Sequence, residues 1–497
     1  MEQLKFFRQQ VAKIKALEFY SFLEGWDAQT EAPKGCFEQR SKYIGILTDM
    51  LYSLSVDPEY VDCVTYLSTC DELDDNTKRE VKLVAKNIIN MQKLPKDEYI
   101  QYVQSLSVIQ SKYFECKTAN DYLTFAPYLA QIFDWQKKYC KYLATDKLNG
   151  YDVLLNDYEE GLTQKEYDGF FNALKTRLIP FVKKVLAKKI DANTEFLYKS
   201  YPIDKQREFV EYIRKVMCYD PNHSVIKESE HPFTSGVDSD DVRVTIHYYE
   251  NNFVSSIFSA IHEMGHATYE RQVDPSLIDT LLSGGSSMGV HESQSRFYEN
   301  IIGRSEIFWQ THFPKLKELF PTQLANVTAQ DMFRGVNIAS ASLIRTEADE
   351  LTYCLHIMLR YDLEKLLING ELTVDELPKM WNSLVKEYLG IEVTSDKEGL
   401  LQDVHWPSGS VGYFPTYALG SAISAQLYHK MRQEIDVDQA IASGNLAVIN
   451  AYLADKVHKF GKSRNTEEIL LYATEEKFNP TYFIDYLIEK YSKIYNI

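Results

Sequence analysis

The stretch DVRVTIHYYENNFVSSIFSAIHEMGHATYER, residues 241–271, changes its hydrophobic period halfway along. Val242, Val244 and Ile246 alternate with Arg243, Thr245 and His247, a period of two that predicts a strand with one apolar and one polar face. The polar face is expected to line a wet space. From Asn252 the period lengthens, and Phe253, Ile257, Ala260, Ile261, Met264 and Ala267 form the apolar stripe of a helix. Elsewhere the helical period dominates, as in VAKIKALEFYSFLEGW (11–26) and FFNALKTRLIPFVKKVLAKKI (170–190). A helical pattern is also read over 338–370, and again from 420 to the end. The fold class is therefore mainly α, with a small β-sheet beside the helix that begins at Asn252.

That helix carries HEMGH, residues 262–266. His262 and His266, four apart, share one helical face about 6 Å from each other. Two imidazoles at that spacing can share a Zn2+ ion at about 2.0–2.1 Å. Glu263 then stands beside the metal, placed to take a proton from an activated water and pass it to a leaving amine. A catalytic zinc takes a third protein ligand and keeps a fourth position open. A histidine six residues past His266 would supply it in one known arrangement, but position 272 is Gln272. Glu270 lies too far along the same axis, so it reads as a supporting or surface carboxylate. Glu292 follows the glycine-rich loop SGGSSMG (283–289), on a second helix starting near Val290, and can approach from the side. Its neighbour His291 competes for that role, but a helix turns about 100° per residue, so only one of the two faces the metal.

The bulk numbers bound the rest. The 497 residues are 45% hydrophobic and 25% charged, enough for a large core. No composition break or repeat divides them, so they read as a single catalytic body over 1–497, with a helical N-terminal lobe (1–200) and a metal-site lobe (201–497). The net charge of −17 argues against nucleic acid and against an anionic membrane surface. The first twenty residues read as an amphipathic helix and not as a signal peptide, and no apolar run is long enough to span a bilayer. Seven scattered cysteines without a C-x-x-C pair suit an intracellular, cytoplasmic protein with reduced thiols.

A series of motifs in order resembles the carboxypeptidase Taq family of HExxH zinc metallocarboxypeptidases. HPFTSGVDSDDVRVTIHY (231–248) is followed by HEMGH, HESQSRFYENIIGRS (291–305), IRTEAD (344–349), GLLQDVHW (399–406) and GYFPTYALG (412–420). GWDAQTEAPKGCFEQR (25–40) and YDVLLNDYEEGLT (151–163) extend the likeness to the whole chain. Glu31-Ala32 and Ile246-His247 depart from the usual pattern, outside the expected metal set. The resemblance implies a large helical zincin-type metallopeptidase with a deep substrate groove, usually a homodimer, acting on peptides with a free C-terminal carboxylate. It implies one Zn2+ per chain, and ligand type alone does not exclude Co2+ or Mn2+.

Within that likeness, Arg345 is the first choice to hold the substrate carboxylate, because a guanidinium matches a carboxylate in two parallel bonds. An ion pair with Asp349 is its alternative. Arg243 is the runner-up, with Asp241 as its own structural partner. Tyr413, Tyr417 and His405 are the candidate donors to the oxyanion, and His247 shares the strand face of Arg243. Trp26, Asp27 and Arg40 are expected to stabilise the N-terminal lobe. Two other readings remain open. One is an endopeptidase or oligopeptidase with the same metal site; the other is an inactive helical peptide-binding scaffold.

Overall fold

The computed structural model describes residues 2–188, 190 and 192–497. A long helix, Glu2–Thr30, turns back into Phe37–Ser55, and two more helices follow, Pro58–Leu67 and Asp75–Lys93. Asp57 and Asp74 start the last two by accepting the backbone N–H groups of Tyr60 and Thr77, each at 3.0 Å. The stripes of these helices close a small core around Phe7, Val11, Tyr60, Val64 and Val81. Arg40 ties the first two helices together by pairing with Asp27 and Glu24, and Trp26 is buried at the end of the first.

A larger apolar cluster runs from Ile109 to Tyr495 without a break near residue 200. The helices between 96 and 186 thus pack with the second half of the chain. The smaller core is joined to the rest by polar ties. Arg79 pairs with Glu160, and the Glu80 carboxylate accepts the backbone N–H of Leu281.

Three strands form the only sheet among the described residues, in the order β1-β3-β2: β1 Ser224–Glu228, β2 Phe233–Asp238 and β3 Asp241–Ile246. β3 runs parallel to β1 and antiparallel to β2, which places Thr234 opposite Val244 and Phe233 opposite Thr245. β3 was legible from its alternation, and Val242, Val244 and Ile246 are fully buried. Its polar face is covered rather than wet. Thr245 is fully buried and accepts the N–H of Phe233, while Arg243 lies over Phe22 and Trp26 of the first helix. A helix more than 200 residues upstream in sequence has folded onto that face.

The metal-motif helix spans Phe253–Arg271, with the Asn252 side chain capping its start at Ser255 N–H. The next helix spans Met288–Arg296, capped by Ser287. The helical pattern expected from 338 begins only at Glu350. Residues 345–347 form one 3-10 turn, and Asp349 takes the N–H groups of Leu351 and Thr352 as the cap of Glu350–Asn369. The helix Pro415–Glu434 lies against Met288–Arg296. No helix among the described residues is long and apolar enough to cross a membrane.

Candidate metal centre

His262, His266 and Glu292 are the one group of metal-ligand type among the described residues, with ligand atoms within 4.8 Å of one another. Glu292 Oε2 lies 3.7 Å from His262 Nε2 and 3.5 Å from His266 Nε2. Ligands about 2.0–2.1 Å from a tetrahedral ion sit about 3.3–3.4 Å apart. The two distances from Glu292 match that spacing to within a few tenths of an ångström.

Two glycines make the approach possible. A Cβ on Gly265 would stand 2.9 Å from Ser295 Cα, and one on Gly420 would stand 2.7 Å from Glu292 Cβ and Cγ. The Glu292 helix is thus seated between the metal-motif helix and Pro415–Glu434 at distances that side chains would forbid.

The far sides of both histidines are held by protein. His262 Nδ1 donates to Glu299 Oε2 at 2.8 Å, since a carboxylate only accepts. His291 Nε2 donates to Glu270 Oε1 at 2.7 Å, so in the neutral ring its Nδ1 accepts from His266 Nδ1 at 2.6 Å. In their neutral forms both ligand rings therefore turn Nε2 lone pairs toward Glu292, which is the tautomer metal binding needs. His291 takes no place among the converging donors; it stands behind His266. Glu270 is largely buried and fixes His291, and it also accepts Gly285 N–H at 2.9 Å. Glu299 was not singled out from the sequence, although it falls seven residues, two helical turns, after Glu292.

Charge follows the same plan. Burial holds His266 neutral, pulling it down to about 3. Burial also works against a charged His262, but Glu292 and the Glu299 hydrogen bond outweigh it and leave that ring raised. Burial would lift Glu292, yet Arg296 and the two histidines hold it well below the usual carboxylate range. Burial is likewise overcome at Glu270, by His291, and at Glu299, by Arg296 and His262; both are brought down to about 2. A divalent cation would find one neutral imidazole at His266, a second at His262 whose raised proton affinity it must displace, and an ionised carboxylate, a donor set that suits zinc.

Glu263 is held differently. Its Oε2 accepts from Thr234 Oγ1 of β2 at 2.7 Å, and burial pushes the carboxyl up. Thr234 had no sequence signal of its own; the strand it belongs to is short and mixed in polarity.

The substrate candidates divide into two places. Arg345, Tyr413, Tyr417 and His405 come together around Tyr353. Arg345 Nη1 donates to Tyr353 Oη at 3.0 Å, and its guanidinium lies 5.2 Å from the Tyr417 ring. His405 Nε2 meets Tyr417 Oη at 3.1 Å, and the rings of Tyr413 and Tyr417 pack edge-on at 5.2 Å. Tyr353 connects this group to the metal ligands, because the Arg296 guanidinium covers its ring at 4.4 Å.

Arg345 pairs with Asp403, through Nε at 3.0 Å and Nη2 at 2.9 Å, and not with Asp349. Arg360 shares that carboxylate. Three of the five Arg345 N–H donors are thus engaged, which leaves one on each Nη. Asp403 and Asp349 touch neither ligand histidine. Arg243 and His247 stand on β3 and just beyond it. Arg243 makes two bonds to Asp241, at 2.7 and 2.6 Å, and His247 Nδ1 bonds the carbonyl of Ser229 at 2.8 Å.

Comparison with known proteins adds the following. The family model described as carboxypeptidase Taq (M32) metallopeptidase matches residues 6–491. Carboxypeptidase 1 of Bacillus subtilis is 40% identical over 487 residues, covering 97% of each chain. Thermostable carboxypeptidase 1 of Pyrococcus furiosus is 34% identical over 489 residues, covering 96% of each. Among solved structures, a Pyrococcus furiosus carboxypeptidase superposes with a TM-score of 0.95 at 34% identity, covering 99% of both chains. An M32 carboxypeptidase from Deinococcus radiodurans does so with 0.96 at 30% identity, covering 100% of both.

Proposed function

Because the chain belongs to the carboxypeptidase Taq (M32) metallopeptidase family, we propose that it is a zinc metallocarboxypeptidase. In this reading it holds one Zn2+ per chain on His262, His266 and Glu292, and releases single residues of broad identity from the C-terminus of peptides. The observation that carries the reading is the convergence of the His262 and His266 Nε2 atoms and Glu292 Oε2, each side chain backed by its own partner.

When bound, the metal supplies Lewis acidity for the scissile carbonyl and makes a water acidic enough to serve as nucleophile near neutral pH. Glu263 takes the proton of that water and returns it to the leaving amine. Thr234 holds one of its oxygens and leaves the other for the transfer. Tyr413, Tyr417 and His405 are assigned to the developing oxyanion, in a site where fixed donors act with little screening. Arg345 is assigned to the substrate's terminal carboxylate, through the N–H remaining on each Nη. Arg243 is kept as a support of β3, its fork occupied by Asp241, and His247 as a groove-lining side chain. All seven cysteines are free thiols, which suits a cytoplasmic setting. Assembly as a homodimer belongs to this reading through the family, and light scattering reads it directly.

The test is a digestion of one peptide as its free acid and as its C-terminal amide, with products followed by mass spectrometry. Stepwise loss of single residues from the free acid alone is expected. Internal cuts in both peptides would replace this reading with an oligopeptidase. A protein that binds one zinc and cuts neither would be the peptide-binding scaffold.

A further inference from the structure

Glu292 has two oxygens, and the protein treats them differently. Oε2 faces the histidine Nε2 atoms, whereas Oε1 accepts from Arg296 Nε at 2.6 Å. Arg296 sits one helical turn further along, so the pair is built into a single helix. Its guanidinium has little freedom. Nη1 donates to Glu299 Oε2 at 3.2 Å, its face lies 4.4 Å from the Tyr353 ring centre, and the side chain is largely buried. Glu299 Oε2 in turn carries His262 Nδ1. One cation therefore fixes the carboxylate that donates to the centre and the carboxylate that orients a histidine donor.

We propose that Arg296 is a positioning residue that restricts Glu292 to a one-oxygen metal ligand and so keeps a coordination position free for water or substrate. This rests on the metal-site reading given above. A carboxylate with two free oxygens can chelate one ion through both. With two histidines already present, chelation would fill four positions and leave none open at a four-coordinate ion. The charge-assisted bond to Arg296 opposes this, because chelation would require Oε1 to give up its bond to a buried cation and leave Glu299 as that cation's remaining carboxylate partner.

The experiment uses the full chain loaded with one equivalent of Co2+, whose d–d absorption is strong when four-coordinate and weak when five- or six-coordinate. Wild type is expected to show the strong band. Arg296→Met is expected to bind one cobalt with the band reduced several-fold. Arg296→Lys, which can still donate to Oε1, is expected to restore it. X-ray absorption on the wild-type cobalt protein provides a second reading that needs no variant. Four nearest neighbours support the proposal, and a chelating carboxylate among five or more overturns it. An unchanged band in Arg296→Met at one cobalt per chain also overturns it. No cobalt band in wild type would sink the metal-site reading itself, and the proposal with it.

Discussion

Replacing Gly265 by alanine tests whether helix contact, and not merely the presence of ligands, makes the centre. In an exposed helix, glycine to alanine stabilises by about 0.5–1 kcal/mol. Here the new Cβ would lie 2.9 Å from Ser295 Cα, 3.1 Å from the Gln294 carbonyl and 3.2 Å from the Tyr298 ring. Carbon atoms rest at about 3.5–4.0 Å, so the helices must part by roughly 0.6 Å or more. Two of the obstructing atoms are backbone and cannot swing aside. Retreat is blocked as well, because Gly420 already stands against Glu292 on the other side. Overpacking of this kind costs about 1–3 kcal/mol, which cancels or exceeds the gain in helix propensity. The effect on the metal is larger. Metal–ligand distances tolerate about 0.2 Å, and the donors of the Glu292 helix would move by several times that. Zinc affinity, measured by competition with a chelator, is expected to fall at least about tenfold, with the helical circular dichroism retained. Gly169→Ala, where a Cβ meets nothing within 4 Å, is the control and should keep wild-type affinity. A Gly265→Ala protein with undiminished zinc affinity and an unchanged or raised melting temperature would refute the close-packing argument.

Three further predictions concern the polar groups. Glu263→Gln should keep zinc affinity near wild type while losing most turnover, and wild-type-like hydrolysis by that variant would remove Glu263 from its role. Glu159 and Glu364 are fully buried carboxyls that burial pushes up to about 7. The folded protein therefore binds their protons more tightly than the unfolded chain does. The stability they contribute is full below about pH 4.3 and is lost as pH rises through 7, roughly 3 kcal/mol for each. A glutamine at 159 can still accept Gly289 N–H and can donate to Thr466, so Glu159→Gln should flatten this loss and exceed wild type at pH 8. At 364 all three partners, Tyr151 Oη, Trp406 Nε1 and Gly412 N–H, donate, so the glutamine amide would face a donor and Glu364→Gln should destabilise at every pH. Denaturant melts at pH 5.5 and pH 8 read both. A Glu159→Gln protein with the wild-type pH slope would count against the assignment.

What could be read from the sequence was what local periodicity encodes. The 3.6-residue stripe under HEMGH placed His262 and His266 on one face, and the glycine loop before Glu292 allowed a third donor to come from the side. The two-residue alternation found β3, but β1 and β2 are five and six residues long and mixed in polarity, so no period stands out. Pairings across the chain were out of reach of such rules. Arg345 was weighed against Asp349 because a helix would bring residues four apart together. The chain there is a single turn and then a cap, and the partner, Asp403, lies 58 residues away. Thr245 sits on a polar strand face that any local reading leaves to solvent, and only the fold shows it buried beside Phe233, on which Trp26 of the first helix packs. Glu299 is a different case. It falls seven residues after Glu292, which a regular helix would put on the same face, but the π turn over Phe297–Ile302 and the contact with His262 are seen only in the fold.

Four carboxylates surround the two ligand histidines, and their hydrogen bonds sort them by role more sharply than their positions in the sequence do. Glu292, Glu299 and Glu270 each carry a cation or an imidazole N–H, which keeps them ionised and fixes their direction. A carboxylate bound in that way is a poor proton acceptor, because protonation would strand its partner. Glu263 has only the Thr234 hydroxyl on one oxygen, no cation against it, and a proton affinity raised by burial. It is the one member of the group that can gain and lose a proton without breaking an ion pair. Replacing Thr234 would loosen that carboxylate without touching any ligand. The division of labour therefore rests on what each carboxylate lacks as much as on what it holds.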